Sequence, residues 1–150
     1  MNYRETMSRL NAALQNIDAA YAVIAKKHGL TFNALMMFYL IDDSKSITQK
    51  QVCDELHLPK STVHSILLDF VKRDYVMLID GNNKKEKFII VTPVGDGFFR
   101  EILDETRLME KNVLDALGAK SCAFLTETAE IVGHLMMKEI AKINAGEVIL

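Results

Sequence analysis

The chain has 150 residues, 49% hydrophobic and 25% charged, which suits one domain with its own core. Two prolines, seven glycines and few aromatics favour helices over a β-sandwich or barrel. The net charge of −2 does not by itself point to nucleic acid, and no apolar run approaches the ~20 residues that cross a bilayer. The distribution of charge says more. Residues 1–44 are neutral, residues 45–90 carry eight Lys/Arg against six Asp/Glu, and residues 91–150 carry six against ten. Only the middle segment is positive. The N-terminus lacks the apolar core of a signal peptide, so a cytoplasmic protein without membrane contact is expected.

In chain order, Tyr3, Met7, Leu10, Leu14, Ile17, Tyr21 and Ile24 recur at spacings of four and three. That places all seven on one stripe of a long amphipathic helix, with Gly29 as its stop. A terminal helix with such a repeat suits packing against a partner chain. A second helix is expected over Thr31–Ile41, followed by a polar turn, Asp42 to Ser46, and a short strand at Ile47. Thr48 with Gln51 three residues on makes a capping box for a third helix, Thr48–Leu56, with Val52, Cys53 and Leu56 inward. His57-Leu58-Pro59 breaks it.

The fourth helix, Lys60–Asp74, is expected to bury Val63, Ile66, Leu67, Phe70 and Val71. Its other face carries Lys60, Ser61, Thr62, His64 and Ser65, with no acidic residue before Asp69. Short polar and basic side chains of this kind can approach a phosphate backbone and reach base edges. The β-rich runs Val76–Ile79 and Phe88–Val91 flank Asp80 to Lys87, which reads as a β-hairpin with a basic tip. Thr92 caps a helix that starts at Pro93 and runs to about Ala116, its first turns weakened by Gly95 and Gly97. In the last helix, Lys120–Asn144, Leu125, Ala129, Val132, Met136, Ile140 and Ile143 share one face.

Helix, turn, helix and basic hairpin, flanked by long helices, make a winged helix-turn-helix. The fold class expected is mainly α with a small β-hairpin. In such folds the second helix enters the major groove. Candidate DNA-binding residues are therefore Lys60, Ser61, Thr62, His64 and Ser65 on the helix, and Asn82, Asn83, Lys84, Lys85 and Lys87 on the wing. Tyr3, Met7, Leu10, Leu14, Ile17 and Tyr21 on the first helix are candidates for packing against a partner chain. No phosphate loop, Ser/His/Asp set or carboxylate pair suggests an enzyme, and no cofactor or metal site is expected. Cys53 reads as a buried thiol and Cys122 as lying near a helix start. The four histidines share no ligand spacing. Glu101, Asp104 and Glu105 read as a solvated helix face. The eight methionines suit an adaptable core or a plastic hydrophobic pocket.

Several of these segments resemble the MarR family of bacterial regulators. Gly29 to Leu35 is similar to the entry of that family's second helix, Ile47 to Leu56 to the first helix of its helix-turn-helix, and Pro59 to Leu67 to its recognition helix. Lys72 to Val76 resembles the exit toward the wing, and Val91-Thr92-Pro93-Val94-Gly95 the Leu-Thr-Pro-x-Gly that follows it. The resemblance covers almost the whole chain. It implies a homodimer reading an imperfect palindrome in double-stranded DNA, with residues 1–28 and 93–150 as dimerisation helices around a lobe at 29–92, and with Val132, Met136, Ile140 and Ile143 joining the stripe of the first helix in dimerisation. It also implies repression relieved by a small molecule, an oxidant or a metal. The sequence departs from the family's wing pattern Asp-x-Arg-x-x-Arg. Asp80 is kept, Asn82 stands for the first arginine and Lys85 for the second. Ser65 and Asp69 stand at commonly basic positions and Asp74 at a usual glycine. A winged helix used for protein contact without DNA is the alternative that this weakened wing leaves open.

Overall fold

A computed structural model of the chain describes residues 1–44, 46–81 and 86–146. Its elements are α1 (Tyr3–Lys27), α2 (Phe32–Ser44), β1 (Ile47–Thr48), α3 (Gln49–Leu56), α4 (Lys60–Lys72), β2 (Val76–Asp80), β3 (Lys87–Val91), α5 (Pro93–Leu117) and α6 (Ala119–Asn144). The chain divides into two compact units, Met1–Arg107 and Leu108–Leu150. The mainly helical fold with a small sheet is the one expected. The sheet is larger than a hairpin, because β1 pairs with β3 and gives the antiparallel order β1-β3-β2.

Local chemistry sets the helix ends of the first unit. The Asn2 side chain accepts from Glu5 N and starts α1, and Gly29 ends it at φ +71°, a backbone region glycine enters without steric cost. Thr31 Oγ1 accepts from Ala34 N at 3.1 Å and starts α2. This helix continues through Asp42, Asp43 and Ser44, where a polar turn was expected. The Arg107 guanidinium reaches both aspartates, at 2.9 and 3.3 Å, and compensates their charges in the last turn. The sequence gives no local sign of a partner 65 residues away.

The core of this unit is aromatic. Phe38, Phe70 and Phe99 are buried, with the Phe38 and Phe99 rings stacked at 3.4 Å between centroids and Phe70 edge-on to Phe99 at 5.3 Å. Tyr75 and Phe98 extend the cluster. On α4 the inward positions are Val63, Leu67 and Phe70, at i, i+4 and i+7. Val71, expected inside, is exposed because it lies one residue, or ~100°, further round the helix.

Two junctions depart from the sequence reading. Glu105, expected on a solvated face, binds Lys27 Nζ at 2.6 Å and His28 Nε2 at 2.7 Å. The hydrogen bonds from His28 and Lys27 hold its carboxyl below the usual carboxylate range. Gly95 does not merely weaken the start of α5. A Cβ there would lie 1.9 Å from the Tyr75 carbonyl oxygen, so only glycine lets the helix meet the chain entering the wing. Thr92 ties the same point. Its backbone N–H donates to Tyr75 O at 3.0 Å, its hydroxyl donates to Asp74 O, and its Oγ1 accepts from Gly95 N at 3.0 Å. Asp74 itself sits at φ +60°. Its position is one where glycine would be unstrained, in keeping with the glycine the resemblance places there.

In the second unit the end of α5 leads through Gly118, at φ +81°, into α6. No described residue of α6 is buried. Phe124, Leu125, Ile131, Leu135 and Met137 are exposed on it beside the expected Met136, Ile140 and Ile143, and Val132 is half-buried. Leu108, Val113 and Leu117 of α5 are exposed as well. The first unit has a similar surface on α1, where only Ile24 and Ala25 are buried and Tyr3, Met7, Leu14 and Ile17 are exposed. Leu10 and Tyr21 are half-buried. No helix among the described residues is long and apolar enough to cross a membrane.

Candidate nucleic-acid interface

The positioning of α4 begins at the start of α3. Thr48 Oγ1 accepts from Gln51 N at 3.3 Å, and Gln51 Oε1 accepts from Thr48 N at 2.8 Å, completing the capping box. Val52 anchors α3 in the core. The helix stops at His57, whose φ of +50° turns the chain sharply. Pro59 then serves as N-cap of α4, its carbonyl accepting from Thr62 N and Val63 N. Val63, Leu67 and Phe70 fix the rotation of the helix. The opposite side therefore faces out, with Lys60, Ser61, His64 and Ser65 exposed and Thr62 half-buried, as the sequence predicts.

This face is chemically unspent. Among the described residues, the side chains of Lys60, Ser61, Thr62, His64 and Ser65 make no hydrogen bond or ion pair. The first turn of α4 carries no acidic residue. Asp69, the first acid along the helix, is bound by Arg73 at 2.9 Å, which offsets its charge. Hydroxyls, imidazole and ammonium thus remain available as donors, without a carboxylate to repel a polyanion.

Leu68 belongs to the same stripe, at i+7 from Ser61 and i+3 from Ser65, and is 54% exposed. Helical spacing alone would have placed it there, but an apolar residue beside three inward ones reads as core. Thr31 and Asn33 also reach this surface. They line an open groove of about 450 Å³ together with Ser61, Thr62, Ser65 and Ile66. That juxtaposition depends on packing between α2 and α4, for which the sequence holds no local signal.

The wing is built by β2 and β3, in register from Val76↔Val91 to Asp80↔Lys87. Lys87 is exposed and its Nζ lies 3.6 Å from Asp80 Oδ1, so part of its charge is compensated within the hairpin. Asn82, Asn83, Lys84 and Lys85 lie outside the described residues. Between wing and helices, a cleft of about 410 Å³ is lined by Gln49, Lys50, Leu67, Leu78 and Lys87, among others. Gln49 Nε2 is buried without a hydrogen-bond partner among the described residues. Cys53, expected as a buried thiol, is half-buried and lines a neighbouring cleft with Lys50 and Lys60. Among the described residues, no three His, Cys, Asp or Glu side chains gather in a group able to hold a metal ion.

Comparison with known proteins follows this geometry. Residues 28–82 match the model of the MarR family. No curated protein matches the sequence. Among solved structures, NMB1585, a MarR family regulator from Neisseria meningitidis, is similar at TM-score 0.81 and 18% identity, over 95% of this chain and 99% of that one. A putative MarR family transcriptional regulator from Listeria monocytogenes, solved with a 26mer DNA, is similar at TM-score 0.76 and 17% identity, over 93% of this chain and 94% of that one. BpsR from Bordetella bronchiseptica, whose DNA binding is regulated by 6-hydroxynicotinic acid, is similar at TM-score 0.69 and 12% identity, over 84% and 91%. Residues 28–82 of this chain are thus similar to the MarR family, and the chain has the winged helix-turn-helix fold of solved MarR family regulators.

Proposed function

We propose that the protein is a sequence-specific, DNA-binding transcriptional regulator that acts as a homodimer on a pseudo-palindromic operator. It is a repressor relieved by a small-molecule effector, and it works in the cytoplasm without enzymatic activity. In this reading residues 29–92 form the DNA-binding lobe, and residues 1–28 and 93–150 form the dimerisation helices of a single MarR-like domain. The observation that carries it is the outward face of α4, where Lys60, Ser61, Thr62, His64 and Ser65 stand free of partners among the described residues. Side chains of this kind read base edges once a helix lies in the major groove. Leu68 adds an apolar contact of the type that thymine methyl groups accept. The similar Listeria protein solved with DNA, and the effector-regulated Bordetella protein, support the choice of partners.

Two double substitutions test the assignment. Replacing Ser61 and His64 with alanine is expected to flatten sequence preference, at about 1–3 kcal/mol of discrimination for each lost base contact. Replacing Lys84 and Lys85 with alanine is expected to weaken binding to all duplexes about equally, because a lysine on a phosphate reads no sequence. Fluorescence anisotropy on matched and scrambled duplexes measures both. Unchanged binding in both variants would contradict the placement of recognition helix and wing. Protein contact through the winged helix is the second reading, favoured by exposed Met77 and Ile79 on β2, and absence of DNA binding by the wild-type chain would select it.

A further inference from the structure

The groove between the start of α2 and the outer face of α4 is lined by Thr31, Asn33, Ser61, Thr62, Ser65 and Ile66, with no charged side chain among them. Its volume is about 450 Å³. The Asn33 amide makes no hydrogen bond among the described residues. The same holds for the Ser61, Thr62 and Ser65 hydroxyls, although serine and threonine within helices commonly bond back to the preceding turn. Thr31 Oγ1 accepts from Ala34 N at 3.1 Å and keeps its own proton to donate. Five residues with neutral donors, two at the start of α2 and three on α4, therefore line one concavity.

We propose that this groove receives a phosphodiester of the DNA backbone through neutral hydrogen bonds from Thr31 and Asn33, with Asn33 as a backbone-contacting residue beside the base-reading face of α4. The inference rests on the DNA-binding reading and adds to it a contact that fixes the register of α4 in the groove. Neutral donors on phosphate oxygens position a protein on the duplex without displacing the counterions that a lysine displaces. The Asn33 contact and the Lys60 contact thus leave different signatures in salt.

The test is a titration of a mixed-sequence duplex over a range of sodium chloride concentrations, with wild-type, Asn33→Ala, Asn33→Asp and Lys60→Ala proteins. Asn33→Ala is expected to weaken binding about tenfold, the scale of one hydrogen bond to a charged group, with the slope of log K against log salt unchanged. Lys60→Ala is expected to flatten that slope by about 0.9. Asn33→Asp places a carboxylate against phosphate and is expected to weaken binding more than alanine, most at low salt. It sits in the first turn of α2, where an acidic residue favours the helix, so a folded protein is expected and a thermal melt checks it. Wild-type binding of DNA with unaltered affinity in both Asn33 variants would overturn this inference and leave the DNA-binding reading standing. A changed salt slope in Asn33→Ala would also overturn it. No binding by the wild-type chain would overturn both.

Discussion

Gly95→Ala is expected to destabilise the fold by about 2–3 kcal/mol, whereas Gly97→Ala, two residues later, is expected to stabilise it by about 1 kcal/mol. Both glycines lie in the first turns of α5, and helix propensity alone predicts that both replacements help. The surroundings separate them. A Cβ at Gly95 would stand 1.9 Å from the Tyr75 carbonyl oxygen and 2.7 Å from its carbon, and backbone cannot move aside as a flexible side chain can. Nothing lies within 4 Å of a Cβ at Gly97. Relief of the clash would push α5 away from the Asp74–Tyr75 turn and break the Thr92 hydrogen bonds that close the wing. Urea unfolding of the two variants measures the difference. Equal shifts in the same direction would contradict the close approach.

The second large effect concerns association. If the proposed homodimer forms, replacing Leu14 and Ile17 together with lysine is expected to convert it to a monomer and to lower apparent DNA affinity by 10²–10⁴-fold, since each half-site would then be bound alone. These side chains are 49% and 51% exposed on α1 and belong to the seven-residue stripe that begins at Tyr3. Neither is part of the buried core, so the lobe is expected to keep its helicity and melting behaviour. The proposed association rests on the quantity of apolar surface left on α1, α5 and α6, where single exposed leucines would need no explanation but a row of them does. Sedimentation velocity decides the matter. An unchanged sedimentation coefficient in the double variant, or a wild-type chain that runs as a monomer, would contradict the assignment.

Much of this was legible in the sequence, for reasons that differ by element. The capping box at Thr48 and Gln51, the break at Pro59 and the apolar period of α4 are local chemistry, and the structure keeps each of them. They suffice to rotate Lys60, Ser61, His64 and Ser65 outward. The strand at Ile47 was legible only as a candidate, because its partner Ile89 lies more than forty residues away. Contacts set wholly by tertiary packing left no trace in the local pattern. Arg107 on Asp42, Glu105 on His28, the groove shared by Asn33 and Ser61, and the Tyr75 carbonyl over Gly95 are of this kind. Leu68 was hidden for a different reason. An exposed leucine within an apolar run carries the same signal as a buried one, and only the fixed orientation of its neighbours tells them apart.

The central claim is that the free polar face of α4 reads DNA sequence. Selection of binding sites from a pool of random duplexes, at low salt and with the full chain, tests it most directly. Enrichment of an inverted repeat, with binding that weakens steeply as salt rises, is the result this account predicts. A folded chain that enriches no sequence would contradict it.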